Sequence, residues 1–336
     1  MDISVGLPST LQAPGHIARA EQLGYHRAWC YDAPAVYADI WMTLARAADR
    51  TSRIGLGTAV VIPDYRHLMT TAAAVATLAG QAPGRVAVGL GPGRAQIMHG
   101  GRPGLWKDLD AYTVALRALL RGEEVEWDGT ASGRPAGSPP GRHRLLHPEG
   151  VVAARPVDVP ILLSAEGPKG LEIARRVADG VISFGQAKPD FAWNAVLIHG
   201  TVLPDGAPDG ADDDYLLAAA GAGAGAAYHI TYAGGGEAVD RLPGGARYRA
   251  AIEAHPAERR AFAVWGQHLI AATPEERLAL TPQIVRETTF TGTAAELADR
   301  LQELGKAGAT EVIYQPAGPD IDRELTAFAR MAGIAG

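Results

Sequence analysis

Short apolar runs alternate along this chain with stretches whose apolar positions recur every three or four residues, from the first residues to the last thirty. Eight runs read as strands: Ile3 to Pro8, Arg27 to Tyr31, Ile54 to Ile62, Val86 to Leu90, Ile161 to Ser164, Val181 to Phe184, Val196 to Leu203, and Glu311 to Gln315. Most are continuously apolar, the pattern of parallel strands covered by helices. The segments between them carry the helical period. Ile40, Leu44 and Ala47 share one face; Leu68, Ala72, Val75 and Leu78 share another; Trp106, Leu109, Thr113, Leu116 and Leu120 share a third. Near the end, Thr293-Ala294-Ala295-Glu296 has the spacing of a capping box, opening a helix with Leu297, Leu301 and Leu304 inward, and Gly305 and Gly308 mark its end.

Eight such units predict an α/β fold, a closed (β/α)8 barrel, with residues 1–336 forming one domain. A doubly wound open sheet needs fewer strands and usually places a glycine fingerprint after the first, where this chain has Pro8-Ser9-Thr10. Three segments exceed a minimal barrel: a Gly/Pro-rich loop from Gly91 to Leu105, residues Gly122 to Pro156 with strand-like patches, and residues 204–289. The first follows the fourth strand and the last the seventh, so both belong to the face where barrels carry their sites. Loops of such length are lids or small subdomains in compact domains.

Composition narrows the class without changing the architecture. A net charge of -6 and no basic run argue against nucleic acid. No apolar run nears the roughly 20 residues that span a bilayer, and MDISVGLPST has no leader pattern, so the cytoplasm is the expectation. The single Cys30 excludes an intrachain disulfide and lies in an apolar run, as a buried, inert thiol would. No H-E-x-x-H helix and no G-x-S-x-G elbow occurs, so neither a metal site nor a serine hydrolase is expected.

Candidate chemistry concentrates at strand ends. Between Pro160 and Phe184 an apolar run, a glycine turn and an amphipathic helix with Leu171, Ala174, Val177 and Ala178 on one face lead into a second apolar run. The unpaired amides of that helix start, with Glu166, Gly167, Pro168 and Lys169, can hold a phosphate against backbone donors and an ammonium; the plain alternative is a βα turn with a solvated lysine. Pro168 fits the first turn, where its missing donor costs nothing. Asp32 and His67 follow the second and third strands and are the candidate catalytic proton carriers, although Asp32 also suits a loop cap and His67 a bond to a loop carbonyl. Arg66 and Arg94 flank these loops, as phosphate partners or surface charges. His199 lies within the seventh strand, pointing either into the barrel or toward a helix, while His229 and His268 belong to the 204–289 segment.

Six segments, in order, resemble the bacterial luciferase-like superfamily of flavin- and F420-dependent oxidoreductases. They are Ala20 to Asp32, Thr51 to His67, the TTAAAVATL helix after it, Pro83 to Gly93, Ser164 to Val181, and Gly292 to Pro316; residues 204–289 do not align as well. The resemblance implies a reduced ring laid across the barrel mouth and a non-proline cis peptide at the third strand's end, here Ala59 to Val60. It places Gly89, Gly91 and Gly93 along the ring or its side chain, and Glu166, Gly167 and Lys169 near its phosphate. Many F420-using relatives carry a catalytic histidine in an S-D-H pattern after the second strand, whereas this chain reads Tyr31-Asp32-Ala33. The expected function is F420H2-dependent reduction of a small organic substrate, with an FMNH2-dependent monooxygenase or a non-catalytic ligand-binding barrel as alternatives. A homodimer through alanine-rich outer helices is expected as well.

Overall fold

A computed structural model describes residues 1–93, 97, 101–128, 141–204 and 213–335. Its centre is a closed parallel barrel of eight strands: β1 (Asp2–Leu7), β2 (Arg27–Cys30), β3 (Gly55–Val61), β4 (Val86–Leu90), β5 (Ile161–Ser164), β6 (Gly180–Phe184), β7 (Asn194–His199) and β8 (Glu311–Gln315). Neighbours in the ring follow chain order, and β8 closes on β1 through the register Asp2 to Glu311. Around it lie helices α1 (Ala13–Gln22), α2 (Ile40–Ala48), α3 (Leu68–Gln81), α4 (Trp106–Arg121) and α5 (Pro168–Val177). Each buries its apolar stripe against the strands: Ile40, Leu44 and Ala47 of α2, and Leu68, Ala72, Val75 and Leu78 of α3. No helix intervenes between β6 and β7.

The seventh strand is shorter than its apolar run predicts. β7 ends at His199, and Val202–Leu203 leaves the barrel to pair with Gly292–Thr293. The reason is at Gly200, where an added Cβ would lie 2.0 Å from the Phe290 carbonyl oxygen, so the backbone is crossed too closely for the barrel ladder to continue. Gly305 likewise does not end its helix: α11 (Ala294–Lys306) runs through it from the expected Thr293 capping box, and the turn comes at Gly308, with φ +97°. Of the strand-like patches expected around residues 133–143, positions 133–140 lie outside the described residues, and Gly141–His143 pairs antiparallel with Val125–Trp127.

Side-chain alternation defines the barrel interior. Trp29, Ala87, Leu162, Ile182, Ala195, Leu197 and Ile313 form one buried cluster in the lumen, which is therefore packed rather than a pore. At its base, Trp29 Nε1 and Trp193 Nε1 donate to the two oxygens of Glu311, at 2.8 and 2.7 Å. One step toward the strand ends, the same alternation points Tyr31, Ser164, Phe184, His199 and Gln315 into the mouth.

The described part of the 204–289 segment from Asp213 onward is helical: α6 (Asp213–Gly235), α7 (Gly245–Glu253), α8 (Arg260–Trp265), α9 (Pro274–Arg277) and α10 (Pro282–Thr288). Its core merges with one side of the mouth, since Tyr31, Tyr37 and Ile62 share a buried cluster with Leu216, Ala220, Tyr228, Tyr248 and Trp265. The glycines of α6 explain how closely it lies: a Cβ at Gly223 would sit 2.5 Å from His199 Cβ, and one at Gly225 would sit 2.6 Å from Glu276 Oε2. The final helix, α12 (Ile321–Met331), carries Glu324 inward beneath this assembly. No helix among the described residues is long and apolar enough to cross a membrane.

Candidate active site

The mouth has two unlike halves. Over β8, β1 and β2 it is sealed, with Tyr31 and Gln315 buried. Over β3 to β7 it is open: Ala59, Val60, Ser164 and His199 are part-exposed, and Phe184 is 55% exposed. The open floor is shaped by the end of β3, where the Ala59–Val60 peptide is cis and the register with β4 shifts between Thr58 and Val61.

Three glycines make that shape fit. A Cβ at Gly89 would lie 2.2 Å from the Thr58 carbonyl oxygen, at Gly91 2.8 Å from Val60 Cγ2, and at Gly93, with φ +63°, 2.4 Å from Ile62 Cδ1. Every second residue from 89 to 93 thus matches every second residue from 58 to 62. Thr58 Oγ1 closes the arrangement by donating to the Gly89 carbonyl and accepting from the Gly89 amide, both at 2.9 Å. Gly89 is used up by this packing, whereas Gly91 and Gly93 lie nearer the open floor.

At the next corner, Gly167 caps α5 with no side chain bonded to the free amides, and nothing lies within 4 Å of where its Cβ would be. Pro168 occupies the first turn and Lys169 is exposed beside it. Glu166 is committed elsewhere: Oε1 accepts the Phe184 amide at 2.6 Å and Oε2 lies 3.1 Å from Lys188 Nζ, tying β5 to the end of β6. A cleft of about 820 Å³ opens on this side, bordered by Phe184, Gly185, His199, Phe290 and Arg300.

The two proton-carrier candidates are engaged outside the lumen. Asp32, buried, accepts two hydrogen bonds from Arg66, from Nε and Nη2 at 2.8 Å each, and Asp39 lies 3.0 Å from the same guanidinium. The hydrogen bond with Asp32 holds Arg66 charged against the opposing effect of burial, so that arginine is a loop clamp rather than a phosphate partner. His67 caps α3, Nδ1 accepting from the Met69 amide at 3.2 Å, and its ring stands 5.6 Å from that of His143. Burial and the neighbouring His143 pull its pKa down. Burial pushes the Cys30 thiol up to about 12, which leaves it without nucleophilic character near neutrality. Arg94 lies outside the described residues.

The structure assembles instead a group that sequence spacing did not connect. His229 Nδ1 and Glu276 Oε1 are 2.7 Å apart, and His268 Nδ1 is 2.9 Å from His229 Nε2. Burial pulls His229 down to about 3 and His268 well down, and pushes Glu276 up to about 7. His199 of β7, facing the mouth, lies within their electrostatic reach; burial is the main cause lowering it to about 3. Glu276 escaped the sequence reading because Thr273 to Glu276 is itself a capping box, which α9 indeed uses. Among the described residues no three His, Cys, Asp or Glu side chains are grouped as a metal site.

A parallel eight-stranded barrel with a helical roof over half its mouth and a glycine-shaped floor under the other half defines the class: a (β/α)8 barrel with a part-open mouth. The chain belongs to the luciferase-like monooxygenase family, whose sequence model matches residues 9–311. It is 33% identical over 181 residues to the 5,10-methylenetetrahydromethanopterin reductase of Methanolobus tindarius, covering 52% of this chain and 51% of that protein. Over 183 residues it is 32% identical to the F420-dependent hydroxymycolic acid dehydrogenase of Mycobacterium tuberculosis, covering 50% and 47%. The chain thus matches about half the length of these curated relatives. The structure of the coenzyme F420-dependent tetrahydromethanopterin reductase from Methanopyrus kandleri shares the fold, with TM-score 0.68, 19% identity and 98% coverage of both chains.

Proposed function

We propose that this chain is an oxidoreductase that uses reduced F420 to reduce a small organic substrate at the open half of the barrel mouth. The observation that carries this reading is the fitted floor: β3 bulges toward the mouth at Ala59 and Val60, and Gly91 and Gly93 are bare where a side chain would push it back. A flat tricyclic ring needs such a floor, and the exposed amides of α5 at Gly167 with Lys169 offer a partner for its phosphate. When bound, reduced F420 supplies the hydride.

In this reading Ala59, Val60, Gly91 and Gly93 lie under or beside the ring, and Gly89 shapes β3 for them. Gly167, Pro168 and Lys169 hold the phosphate end, and Glu166 steadies the β5 and β6 ends around it. Asp32 positions the loop after β2 through Arg66, and His67 starts α3. F420 dependence named in the relatives supports the cofactor choice. Residues 1–336 act as one domain, with 204–289 as its roof; the chain works in the cytoplasm and as a homodimer, so sedimentation at 35.1 kDa would contradict the pairing.

The test is to titrate purified protein with F420 and with FMN and follow cofactor fluorescence. Saturable F420 binding, weakened by Lys169→Ala, is the expected result. Tight FMN binding without F420 binding would favour an FMNH2-dependent monooxygenase, and saturable binding of neither would favour a ligand-binding barrel.

A further inference from the structure

Hydride transfer to a polar double bond needs a proton delivered with it. At this mouth the two acid-base residues next to β2 and β3 are engaged elsewhere: Asp32 is locked to Arg66, and His67 caps α3 beside His143. The roof supplies a different set. Glu276 from α9, His229 from α6 and His268 after α8 form an unbroken hydrogen-bonded row, with contacts of 2.7 and 2.9 Å. Glu276 is 2% exposed and His229 1%.

The row is held rigidly at each member. Glu276 Oε2 accepts the Thr273 amide at 2.8 Å, leaving Oε1 for His229. The Trp265 ring stands 4.8 Å from that of His229 and 5.2 Å from that of His268. Tyr37, from the segment after β2, donates its hydroxyl to the His268 carbonyl at 2.5 Å, and its ring lies 5.9 Å from that of Tyr31, which faces the mouth. The His268 backbone is thereby tied to the β2 side of the mouth, and its ring lies within electrostatic reach of His199 on β7.

We propose that His268 delivers the proton accompanying hydride transfer, drawing it from Glu276 through His229 by a coupled switch of both imidazole tautomers. This rests on the oxidoreductase reading above. With Glu276 protonated, its O–H donates to His229 Nδ1, His229 Nε2–H donates to His268 Nδ1, and His268 Nε2–H is left as a free donor. The substrate's C=O, C=N or activated C=C bond is reduced by two electrons. Hydride from the reduced cofactor, which is oxidised, forms the new C–H bond, and the π pair takes the proton from His268 Nε2. His268 Nδ1 then takes the His229 Nε2 proton, and His229 Nδ1 takes the Glu276 proton. After product leaves, His268 Nε2 takes a proton from water and the row runs back, His268 Nδ1–H to His229 Nε2 and His229 Nδ1–H to the carboxylate, which restores the starting tautomers. Neither imidazole carries a charge at any resting stage, which suits the burial of His229.

The groups that bear on this titration come from every packed element. Glu275 neighbours Glu276 on α9, and Tyr248 of α7, with Tyr232 of α6 behind it, faces the same carboxylate. His199 of β7 lies within electrostatic reach of His268 and His229. Among the described residues no lysine or arginine lies within ion-pair distance of Glu276, so nothing pins it as a carboxylate. Its rise to about 7 through burial agrees with a proton held and released near neutral pH.

The test begins with cofactor-free protein labelled with 15N-histidine, followed by NMR from pH 5 to 9. His229 and His268 should stay singly protonated and change from Nε2–H to Nδ1–H together near pH 7, and Glu276→Gln should abolish that change. A doubly protonated His229 or His268 in this range, or a switch that persists in Glu276→Gln, overturns the proposal. In single-turnover reduction by F420H2, Glu276→Gln and His268→Gln should each slow the rate by roughly 100-fold while leaving the F420 Kd unchanged. The wild-type rate should fall above about pH 7, and that break should vanish in Glu276→Gln. Unchanged rates in both variants overturn the donor role. An intact tautomer switch in protein that binds no F420 supports the proton row and overturns the cofactor reading instead.

Discussion

Two carboxylates buried within a few helices of each other are treated in opposite ways. Glu324 of α12 is fully buried and surrounded by donors: Thr201 Oγ1 at 3.0 Å, Tyr215 at 2.5 Å, Tyr314 at 2.8 Å and Arg323 Nη1 at 2.6 Å. Glu276 of α9 has the Thr273 amide and His229 as its partners, with no cation. The difference separates an anchor from a carrier. A carboxylate given four fixed donors, one a guanidinium, ties β8, the segment after β7, α6 and α12 together. One denied a cation is free to hold a proton.

The largest effect should come from breaking the anchor. Glu324→Ala removes an acceptor shared by three hydroxyls and a guanidinium, and urea unfolding should show a loss of about 3–5 kcal/mol. Glu276→Gln at pH 6 should fall far below that, because the amide keeps both a donor and an acceptor there. If the two variants proved equally destabilised, the contrast would be lost.

The carrier should reveal itself through pH. Burial raises the Glu276 carboxyl from 4.5 to about 7. The stability contributed by its protonated form is therefore complete below about pH 4.5 and is lost as pH rises through 7, amounting to about 3 kcal/mol. Wild type should lose that much relative to Glu276→Gln between pH 4.5 and 8, in unfolding midpoints measured side by side. A constant difference across the range would show that Glu276 does not titrate there. His229 acts oppositely: burial pulls it down to about 3, so its contribution is present above 6.5 and lost as pH falls toward 3.

The floor of the open half should respond next. At Gly89 an added methyl meets backbone, the Thr58 oxygen at 2.2 Å, while at Gly91 it meets the movable Val60 side chain at 2.8 Å. Gly89→Ala should therefore destabilise by more than Gly91→Ala within the usual overpacking range of about 1–3 kcal/mol. Gly91→Ala should weaken cofactor binding more than its stability loss suggests; thermal melts and fluorescence titration separate the two. Smallest of all, Lys169→Ala should weaken F420 binding roughly three- to ten-fold, with less effect in high salt, as expected for an exposed charge at a helix start.

Much of the scaffold was legible in the residues, and for local reasons. The apolar runs at 86–90, 161–164 and 311–315 are β4, β5 and β8 without adjustment, and the Thr293 box opens α11 where its spacing says. The site was legible only in outline. The 89–93 glycines were recognisable as special, but their immediate partners are Thr58, Val60 and Ile62, about thirty residues away. Asp32 looked available because nothing adjacent in sequence announces that Arg66 will hold it with two hydrogen bonds.

Sequence alone determined the period of each element, the order of the eight units and the glycines that permit close approach, because these follow from backbone sterics and from apolar residues recurring on one face. Tertiary structure decided which half of the mouth is sealed, that His199 points inward, and that residues 229, 268 and 276 meet. Those outcomes depend on where α6 comes to rest against β7, and a hydrogen bond spanning 47 positions leaves no periodic trace in the chain that makes it.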